Sequence, residues 1–225
     1  MRGKDDKMRF LLEGGVIPVI RAKSEEEAIK IGEAVEKGGI KVLEITMTVP
    51  NALEVLRRVA EKFSNDILLG AGTVLDGETA RAAILAGAQF IVGPCLNIEL
   101  IKVCKRYSKI VIPGAMTPTE ILYAWEVGAD IVKVFPAGNL GGPSYIKAIK
   151  APLPHILLNP TGGVNLNNAG EFIRAGASII SVGSALVDKK AVAEKNFKEL
   201  TNRAAKFLEE VKKARASLKL NQKQG

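Results

Sequence analysis

Eight short apolar runs, rich in β-branched residues, recur through the chain and constrain its fold more than any other feature. They begin at positions 16, 41, 67, 90, 110, 131, 156 and 179, so successive starts lie 20 to 26 residues apart. Helical patterns lie between the runs, and capping signals mark three helix starts: Ser24 with Glu27, Asn51 with Glu54, and Thr117 with Glu120. Strands that are apolar on both faces and alternate with helices are typical of a parallel sheet covered by helices.

The number of these units predicts an α/β fold of the (β/α)8 TIM-barrel type. Eight parallel strands close such a barrel, and 225 residues would make a compact one. A doubly wound open sheet is the alternative, although no GxGxxG motif follows the first strand. No linker or low-complexity stretch divides the chain. We therefore expect a single domain over residues 1–225, with the barrel at about 11–187 and a basic C-terminal helix and tail over 188–225.

Composition and charge limit the location and the partners. Cys95 and Cys104 form no disulfide framework, which favours a reducing cytoplasm. We find no signal-peptide pattern, and no apolar run approaches the ~20 residues of a membrane span, so we expect a cytoplasmic protein without a membrane partner. The net charge is +8, and residues 188–225 hold 11 basic against 5 acidic side chains. Apolar residues at helical spacing predict an amphipathic helix in this segment, and because no aromatic residues interleave its basic ones, we favour a solvated helix face over a nucleic-acid site.

Lys133 lies inside an apolar run, Asp130 to Gly138, that otherwise predicts a buried strand. Burial of an unpaired ammonium group is costly, and the usual escape is loss of the proton, which means a lowered pKa. A neutral amine can attack a carbonyl carbon and form a Schiff base. The alternative is a lysine at a strand end that reaches solvent or pairs with a carboxylate.

Glu44 is the acidic counterpart of Lys133 at the same end of the predicted barrel. Functional side chains of TIM barrels gather at the C-terminal ends of the strands, where both residues fall. Side chains alternate along a strand, so Glu44 lies on the face opposite Leu43 and Ile45. If the aliphatic residues face the helices, Glu44 and Lys133 both point into the barrel. A buried ion pair would also satisfy both charges, but such pairs add little stability, which favours an acid–base function.

Glycine-containing loops follow the seventh and eighth predicted strands, at residues 160–164 and 182–186. Phosphate sites in TIM barrels are often built from the loops after these two strands. Glycine lets the backbone approach an anion, and a helix start, here expected at Ser184, supplies free N–H groups. Either loop alone could be an ordinary turn, but together they favour phosphate binding. No residue cluster has metal-ligand spacing, and no motif indicates a cofactor.

Taken together, these motifs resemble the family of 2-keto-3-deoxy-6-phosphogluconate (KDPG) and 4-hydroxy-2-oxoglutarate (KHG) aldolases. The resemblance covers about residues 11–187 and rests on the combination of LEIT, GAGTV, PGxMTPTE, KxFPA and PTGGV. Family members are class I aldolases on a (β/α)8 barrel, commonly trimeric and metal-independent. The resemblance implies a homotrimeric lyase of the Entner–Doudoroff pathway. It would cleave KDPG reversibly to pyruvate and glyceraldehyde 3-phosphate, or 4-hydroxy-2-oxoglutarate to pyruvate and glyoxylate.

The resemblance also implies roles for individual residues. Lys133 resembles the Schiff-base lysine, and Glu44 resembles the general acid/base that relays protons. Four positions match those that line the pyruvate pocket: Thr73, Pro94, Phe135 and Thr161. Three positions match the phosphate region: Gly162, Gly163 and Ser184.

Thr48 departs from the family pattern, because many members carry an arginine there that meets the substrate carboxylate. Arg21, at the end of the first strand, is the nearest candidate to replace it. The alternative is a structural Arg21 that bonds loop carbonyls or a helix C-terminus. Related 2-keto-3-deoxy-6-phosphogalactonate aldolases resemble this chain at Arg21, so the galactonate epimer is an alternative substrate. A thiamine-phosphate-synthase-like barrel and a non-enzymatic ligand-binding barrel are further alternatives, since fold does not fix function.

Overall fold

The computed structural model describes residues 3–63 and 66–221, in which parallel strands alternate with helices. The strands within these residues are β1 (Val16–Ile20), β2 (Val42–Thr46), β3 (Leu68–Gly72), β4 (Phe90–Val92), β5 (Ile110–Ile112), β6 (Gly114–Ala115), β7 (Val132–Val134), β8 (Leu158–Pro160) and β9 (Ile180–Val182). The helices are α1 (Lys4–Gly14), α2 (Glu25–Lys37), α3 (Ala52–Phe63), α4 (Gly77–Leu85), α5 (Ile98–Arg106), α6 (Pro118–Glu126), α7 (Pro143–Lys150), α8 (Ala169–Arg174), α9 (Lys189–Ala193) and α10 (Phe197–Asn221).

The strands close into a ring. One sheet has the order β5-β4-β3-β2-β1-β9, the other has the order β6-β7-β8, and neighbouring strands within each sheet are parallel. A bridge between Thr161 and Ser181 joins the end of β8 to β9. On the other side, the amide of Lys133 donates to the carbonyl of Pro113 at 2.9 Å. The predicted (β/α)8 barrel is therefore confirmed, and the open-sheet alternative is wrong.

Pro113 interrupts the fifth predicted strand. Proline has no N–H to give to a strand ladder, so the run breaks into β5 and β6 on either side of it. The two pieces together occupy one position of the ring. For this reason the part of the chain that the structure describes contains nine short strands in an eight-position barrel.

Two of the three capping signals work as the sequence predicts. The Ser24 hydroxyl accepts a hydrogen bond from the amide of Glu27 at 3.2 Å, and Thr117 forms a capping box with Glu120 before Pro118. The third signal also marks a helix start, since α3 begins at Ala52 directly after Asn51, but the contact there is made by the Asn51 backbone. This backbone is left-handed, with φ of 52°, and its carbonyl accepts the amide of Glu54 at 2.9 Å. Asparagine tolerates this conformation better than most residues do.

Helix α1, which no sequence pattern predicted, lies at the N-terminal ends of the strands. The Lys4 amine pairs with Asp130 at 2.7 Å, and the Lys7 amine donates to Gln89 at 2.6 Å. Asp130 and Gln89 directly precede the regions of β7 and β4. The helix therefore covers the end of the barrel opposite to the predicted site.

The predicted single C-terminal helix is two helices, α9 and α10. The break contains Lys195, whose φ is 55°, a conformation that an α-helix does not continue through. Helix α10 runs on to Asn221, so the start of the predicted frayed tail is helical, and residues 222–225 lie outside the described part. The Arg215 guanidinium donates to the carbonyls of Leu12 and Ser178 at 2.6 and 3.0 Å. No helix among the described residues has the length and apolar character needed to cross a membrane.

Candidate active site

Lys133 and Glu44 both lie in the barrel interior, as strand alternation predicts. Lys133 in β7 is 6% exposed and Glu44 in β2 is 1% exposed. Within the described residues, no hydrogen bond or ion pair joins the two side chains, and Glu44 Oε2 has no hydrogen-bond partner. The pair is therefore an acid and a base held near each other, each with bonding capacity left for a ligand.

Burial shifts the protonation of both groups toward their neutral forms. Loss of hydration raises the pKa of the Glu44 carboxyl, while the positive charges of Lys133 and Arg21 act in the opposite sense. Loss of hydration likewise lowers the pKa of the Lys133 amine, which the charge of Glu44 opposes and that of Arg21 reinforces. A lysine with a lowered pKa is an activated nucleophile, and a carboxyl with a raised pKa suits proton transfer.

The end of β3 is shaped around the Glu44 carboxylate. A Cβ added at Gly72 would lie 2.5 Å from Glu44 Cδ and 2.7 Å from Glu44 Cγ, so only glycine leaves room for the acid. The next residue, Thr73, has φ of 59°. A β-branched residue in the left-handed region is a genuine outlier, and such strain concentrates at functional sites. The predicted pocket residue Thr73 thus follows directly on the strand end that accommodates Glu44.

A cavity of about 340 Å³ opens at the C-terminal end of the barrel, and Lys133 and Glu44 lie outside its lining residues. Its size falls in the range of small-molecule sites. The Lys133 Nζ atom lies 4.9 Å from the centre of the Phe135 ring, and Phe135 is one wall of the cavity. Six predicted site residues line this cavity: Arg21, Phe135, Thr161, Gly162, Gly163 and Ser184.

Pro94 does not line the cavity but lies on the other side of the lysine. A Cβ added at Gly114 would overlap the carbonyl of Pro94, so the two backbones are in close contact. Gly114 in turn is the register partner of Lys133 across the pairing of β6 with β7. Pro94 is therefore about one strand away from the lysine, on the side away from the glycine loops.

The loop after β8 has the backbone that a close approach to an anion requires. Gly162 and Gly163 have φ of 85° and 77°, in the region that favours glycine. A Cβ at Gly163 would lie 2.8 Å from the Cα of Gly138, so the loop also packs backbone to backbone. The Asn168 side chain donates to the Gly163 carbonyl at 2.9 Å and holds the loop in place.

The helix start expected at Ser184 is wrong. The Gly183 carbonyl accepts the amides of Leu186 and Val187 at 3.0 and 2.9 Å, which closes one isolated turn. The next helix, α9, begins only at Lys189, where the Asp188 side chain caps it. Ser184 lies near the start of the isolated turn, where backbone N–H groups have no partner within the turn, so the turn can still present donors to an anion.

Arg21 lies at the rim of the cavity with its guanidinium unengaged. A Cβ added at Gly183 would lie 3.3 Å from Arg21 Nη1, which places the guanidinium beside the loop after β9. Among the described residues it has no hydrogen-bond or ion-pair partner, whereas the Arg215 guanidinium donates to the carbonyls of Leu12 and Ser178. The alternative of an Arg21 that bonds loop carbonyls therefore has no contact to support it. The Thr48 hydroxyl is 2.7 Å from the Thr46 hydroxyl, so this position supplies a neutral side chain and no cation.

Comparison with known proteins identifies the family of the chain. The family model described as KDPG and KHG aldolase matches residues 7–203. The chain belongs to this family. A relative from Treponema pallidum, named 2-dehydro-3-deoxy-phosphogluconate aldolase, is 37% identical over 186 residues, which is 83% of this chain and 88% of the relative. The resemblance inferred from the sequence motifs is confirmed, and with it the assignment as a carbon–carbon lyase.

Solved structures agree with this membership. A KDPG aldolase from Legionella pneumophila, with pyruvate captured as a covalent carbinolamine, has a TM-score of 0.82 and 31% identity, covering 88% of this chain and 96% of that one. A native KDPGal structure has a TM-score of 0.81 and 32% identity, covering 88% of this chain and 95% of that one. The TIM-barrel fold is thus shared across aldolases of this family.

Two buried polar residues next to the aldolase site were not predicted from the sequence. Asn159 in β8 and Ser181 in β9 are 0% and 1% exposed, and the Asn159 amide donates to the Ser181 hydroxyl at 3.0 Å. Asn159 is the register partner of Lys133. The signal was a polar residue inside each apolar run, two positions before Thr161 and Gly183 respectively.

Proposed function

We propose that this aldolase cleaves KDPG reversibly to pyruvate and glyceraldehyde 3-phosphate, with Lys133 as the Schiff-base nucleophile and Glu44 as the acid/base. The observation that carries the proposal is a buried lysine and a buried carboxylate with an unbonded oxygen, both in the barrel interior next to a cavity bounded by two glycine loops. Family membership and the covalent pyruvate intermediate of the Legionella relative support the same chemistry.

The proposed reaction begins with the neutral Lys133 amine. Nζ attacks the C2 carbonyl carbon, and the carbinolamine loses water to give an iminium ion. Glu44 takes the proton of the C4 hydroxyl, the C3–C4 bond breaks, and its electron pair moves into the iminium to give an enamine. Glyceraldehyde 3-phosphate leaves, Glu44 returns a proton to C3, and water hydrolyses the pyruvate imine to release Lys133.

The proposed binding of the two substrate ends follows from the wall of the cavity. The phosphate would meet the loop at Gly162 and Gly163 and the turn at Ser184, largely through backbone N–H groups. Binding energy from the phosphate would then orient the reacting bond over the lysine. Four residues would surround the pyruvate part, as the resemblance implies: Thr73, Pro94, Phe135 and Thr161.

Arg21 is proposed to hold the substrate carboxylate, because its guanidinium is unengaged and Thr48 offers no cation. An arginine gives a carboxylate a bidentate partner. The neighbouring Gly183 also places Arg21 close to the proposed phosphate loop. The two roles differ in one respect: a carboxylate partner acts on pyruvate itself, whereas a phosphate partner acts only on phosphorylated substrates.

The same site suits a second substrate, 4-hydroxy-2-oxoglutarate, which would give pyruvate and glyoxylate. The matched family model includes KHG aldolase in its description. Both substrates share the 2-keto group and the C4 hydroxyl on which Lys133 and Glu44 act. The galactonate epimer of KDPG and a homotrimeric assembly are also proposed from the resemblance, and assays with both epimers and analytical ultracentrifugation address them. A cytoplasmic location is proposed from the cysteine usage.

The deciding experiment is reductive trapping. The protein is incubated with pyruvate and reduced with borohydride. Its intact mass is then measured by mass spectrometry, and it is digested for peptide mapping. We expect one pyruvyl-derived mass on the peptide that contains Lys133. Lys133→Arg should abolish both the adduct and cleavage, because a guanidinium stays protonated.

Lys150→Arg is the matched control, since burial also lowers the pKa of Lys150, whose amine bonds the carbonyls of Pro154 and Ile156 away from the cavity. This variant should trap pyruvate as the wild type does. An adduct on another residue, or no adduct while cleavage proceeds, would remove Lys133 from the mechanism.

A further inference from the structure

Asn159 and Ser181 form a polar pair under the proposed substrate cavity, which we call the floor pair. Both are almost fully buried, yet Ser181 contributes to the cavity wall. The Asn159 Nδ2 group donates to the Ser181 Oγ atom at 3.0 Å. The aldolase chemistry described above uses neither residue.

The floor pair has unused hydrogen-bonding capacity. Asn159 Oδ1 is buried without a hydrogen-bond partner, and leaving a buried acceptor without a hydrogen bond costs stability. Ser181 Oγ accepts from Asn159, so its own proton is free to be donated elsewhere. Ser181, the member of the pair that lines the cavity, therefore has a donor available for a ligand hydroxyl, while the buried Asn159 holds the Ser181 oxygen in place.

The position of the floor pair relates it to a particular stretch of the substrate. Asn159 is beside Lys133 in the register of β7 and β8, and Ser181 is bridged to Thr161 at the end of β8. Gly183 and Ser184 follow Ser181 on the same strand and its loop. A chain that runs from an imine on Lys133 to a phosphate at Gly162 and Ser184 passes over this pair.

We propose that the floor pair is a subsite for the C5 hydroxyl of the substrate, the hydroxyl between the reacting carbons and the phosphate. The inference rests on the proposed function, in which Glu44 handles the C4 hydroxyl and leaves C5 without a partner. Ser181 is the residue that contacts the hydroxyl. Asn159 is a positioning residue that orients Ser181 Oγ through its amide.

The test uses aldol addition, the reverse reaction, with two phosphorylated aldehydes of equal length. D-glyceraldehyde 3-phosphate carries the hydroxyl that becomes C5, and 3-phosphooxypropanal lacks only that group. For each protein we measure kcat/KM for both aldehydes at saturating pyruvate and take the ratio of the value for D-glyceraldehyde 3-phosphate to the value for 3-phosphooxypropanal. The ratio cancels effects on imine formation and phosphate binding, which both aldehydes share.

Ser181→Ala should lower the ratio roughly two- to twelve-fold, the value of one neutral hydrogen bond, by slowing only the hydroxylated aldehyde. Ser181→Cys, which keeps the volume but donates weakly, should lower it in the same direction and guards against misfolding. Asn159→Leu should also lower the ratio, a selective change that a merely structural residue would not produce. Ser217→Ala, in α10 and bonded to the Ala214 carbonyl, is the control and should leave both rates unchanged.

Three results separate the possible failures. An unchanged ratio in folded Ser181 variants, or an equal fall for both aldehydes, overturns the subsite while the proposed function stands. A lowered ratio in Ser181→Ala but not in Asn159→Leu overturns the positioning role of Asn159. A wild-type protein that adds pyruvate to neither aldehyde refutes the proposed function, and the subsite with it.

Discussion

Gly72→Ala is a one-atom test of whether Glu44 is the acid/base. The backbone at Gly72 lies outside the left-handed region, so alanine meets no conformational barrier there. Its Cβ, however, would lie 2.5 Å from Glu44 Cδ. Ordinary carbon contacts are about 3.5 Å or longer, so the carboxylate must retreat by roughly 1 Å.

A displacement of that size is large for proton transfer, and misplacement by about 1 Å can cost on the order of 100-fold in rate. The overpacking should cost about 1–3 kcal/mol of stability, so the variant should remain folded. Cleavage is measured by a coupled assay for released pyruvate, and a second assay measures exchange of the pyruvate methyl protons in D2O. We expect both rates to fall together by about 100-fold. End-point trapping with borohydride should still label Lys133, because the amine itself is not displaced.

Gly14→Ala is the matched control, since its added Cβ would lie 3.7 Å from Val42 Cγ2, an ordinary contact at the opposite end of the barrel. It should retain wild-type cleavage. A folded Gly72→Ala protein with cleavage within about threefold of the wild type would show that Glu44 is not the group that moves the proton.

Three further predictions concern charge and chemistry in the same site. The rate of pyruvate trapping should rise with pH about a midpoint below the ~10.4 of an ordinary lysine. Because the charge of Glu44 raises the pKa of Lys133, Glu44→Gln should move this midpoint to lower pH, and a move to higher pH would contradict the assignment. Arg21→Ala should lower kcat/KM roughly ten- to two-hundred-fold and weaken the pyruvate adduct relative to that of a neutral ketone. An effect confined to phosphorylated substrates would make Arg21 a phosphate ligand instead. Exhaustive chelation should leave cleavage unchanged, since the iminium on Lys133 accepts the electrons, and activity restored by a divalent ion would argue for an enolate-stabilising metal.

The sequence predicted those features that depend on local rules. Spacing and apolar character sufficed for the barrel, and strand alternation sufficed to put Lys133 and Glu44 in its interior. The caps at Ser24 and Thr117 depend on contacts three residues apart, which is why they were predictable. Each of these signals is contained in a short window of sequence.

The features that were missed depend on distant contacts or on backbone conformation. The space that Gly72 leaves for Glu44 is a contact between two strands, invisible in either run alone. The break in the C-terminal segment rests on the left-handed Lys195, a residue type that gives no warning of that conformation. The polar Asn159 was overlooked because its partner, Ser181, is 22 positions away.

The closure of the ring by β1 and β9 has a consequence for synthesis on the ribosome. Val16 pairs with Ile180, and Arg215 bonds the carbonyl of Leu12. The first strand and the first helix therefore lack these partners until residues 180 and 215 have been synthesised. Until those residues emerge from the exit tunnel, β1 presents an unpaired edge, the kind of surface on which nascent chains associate wrongly. A ring of this connectivity is therefore completed only after Ile180 and Arg215 have been synthesised, and its nascent form is the stage at which a chaperone has most to shield.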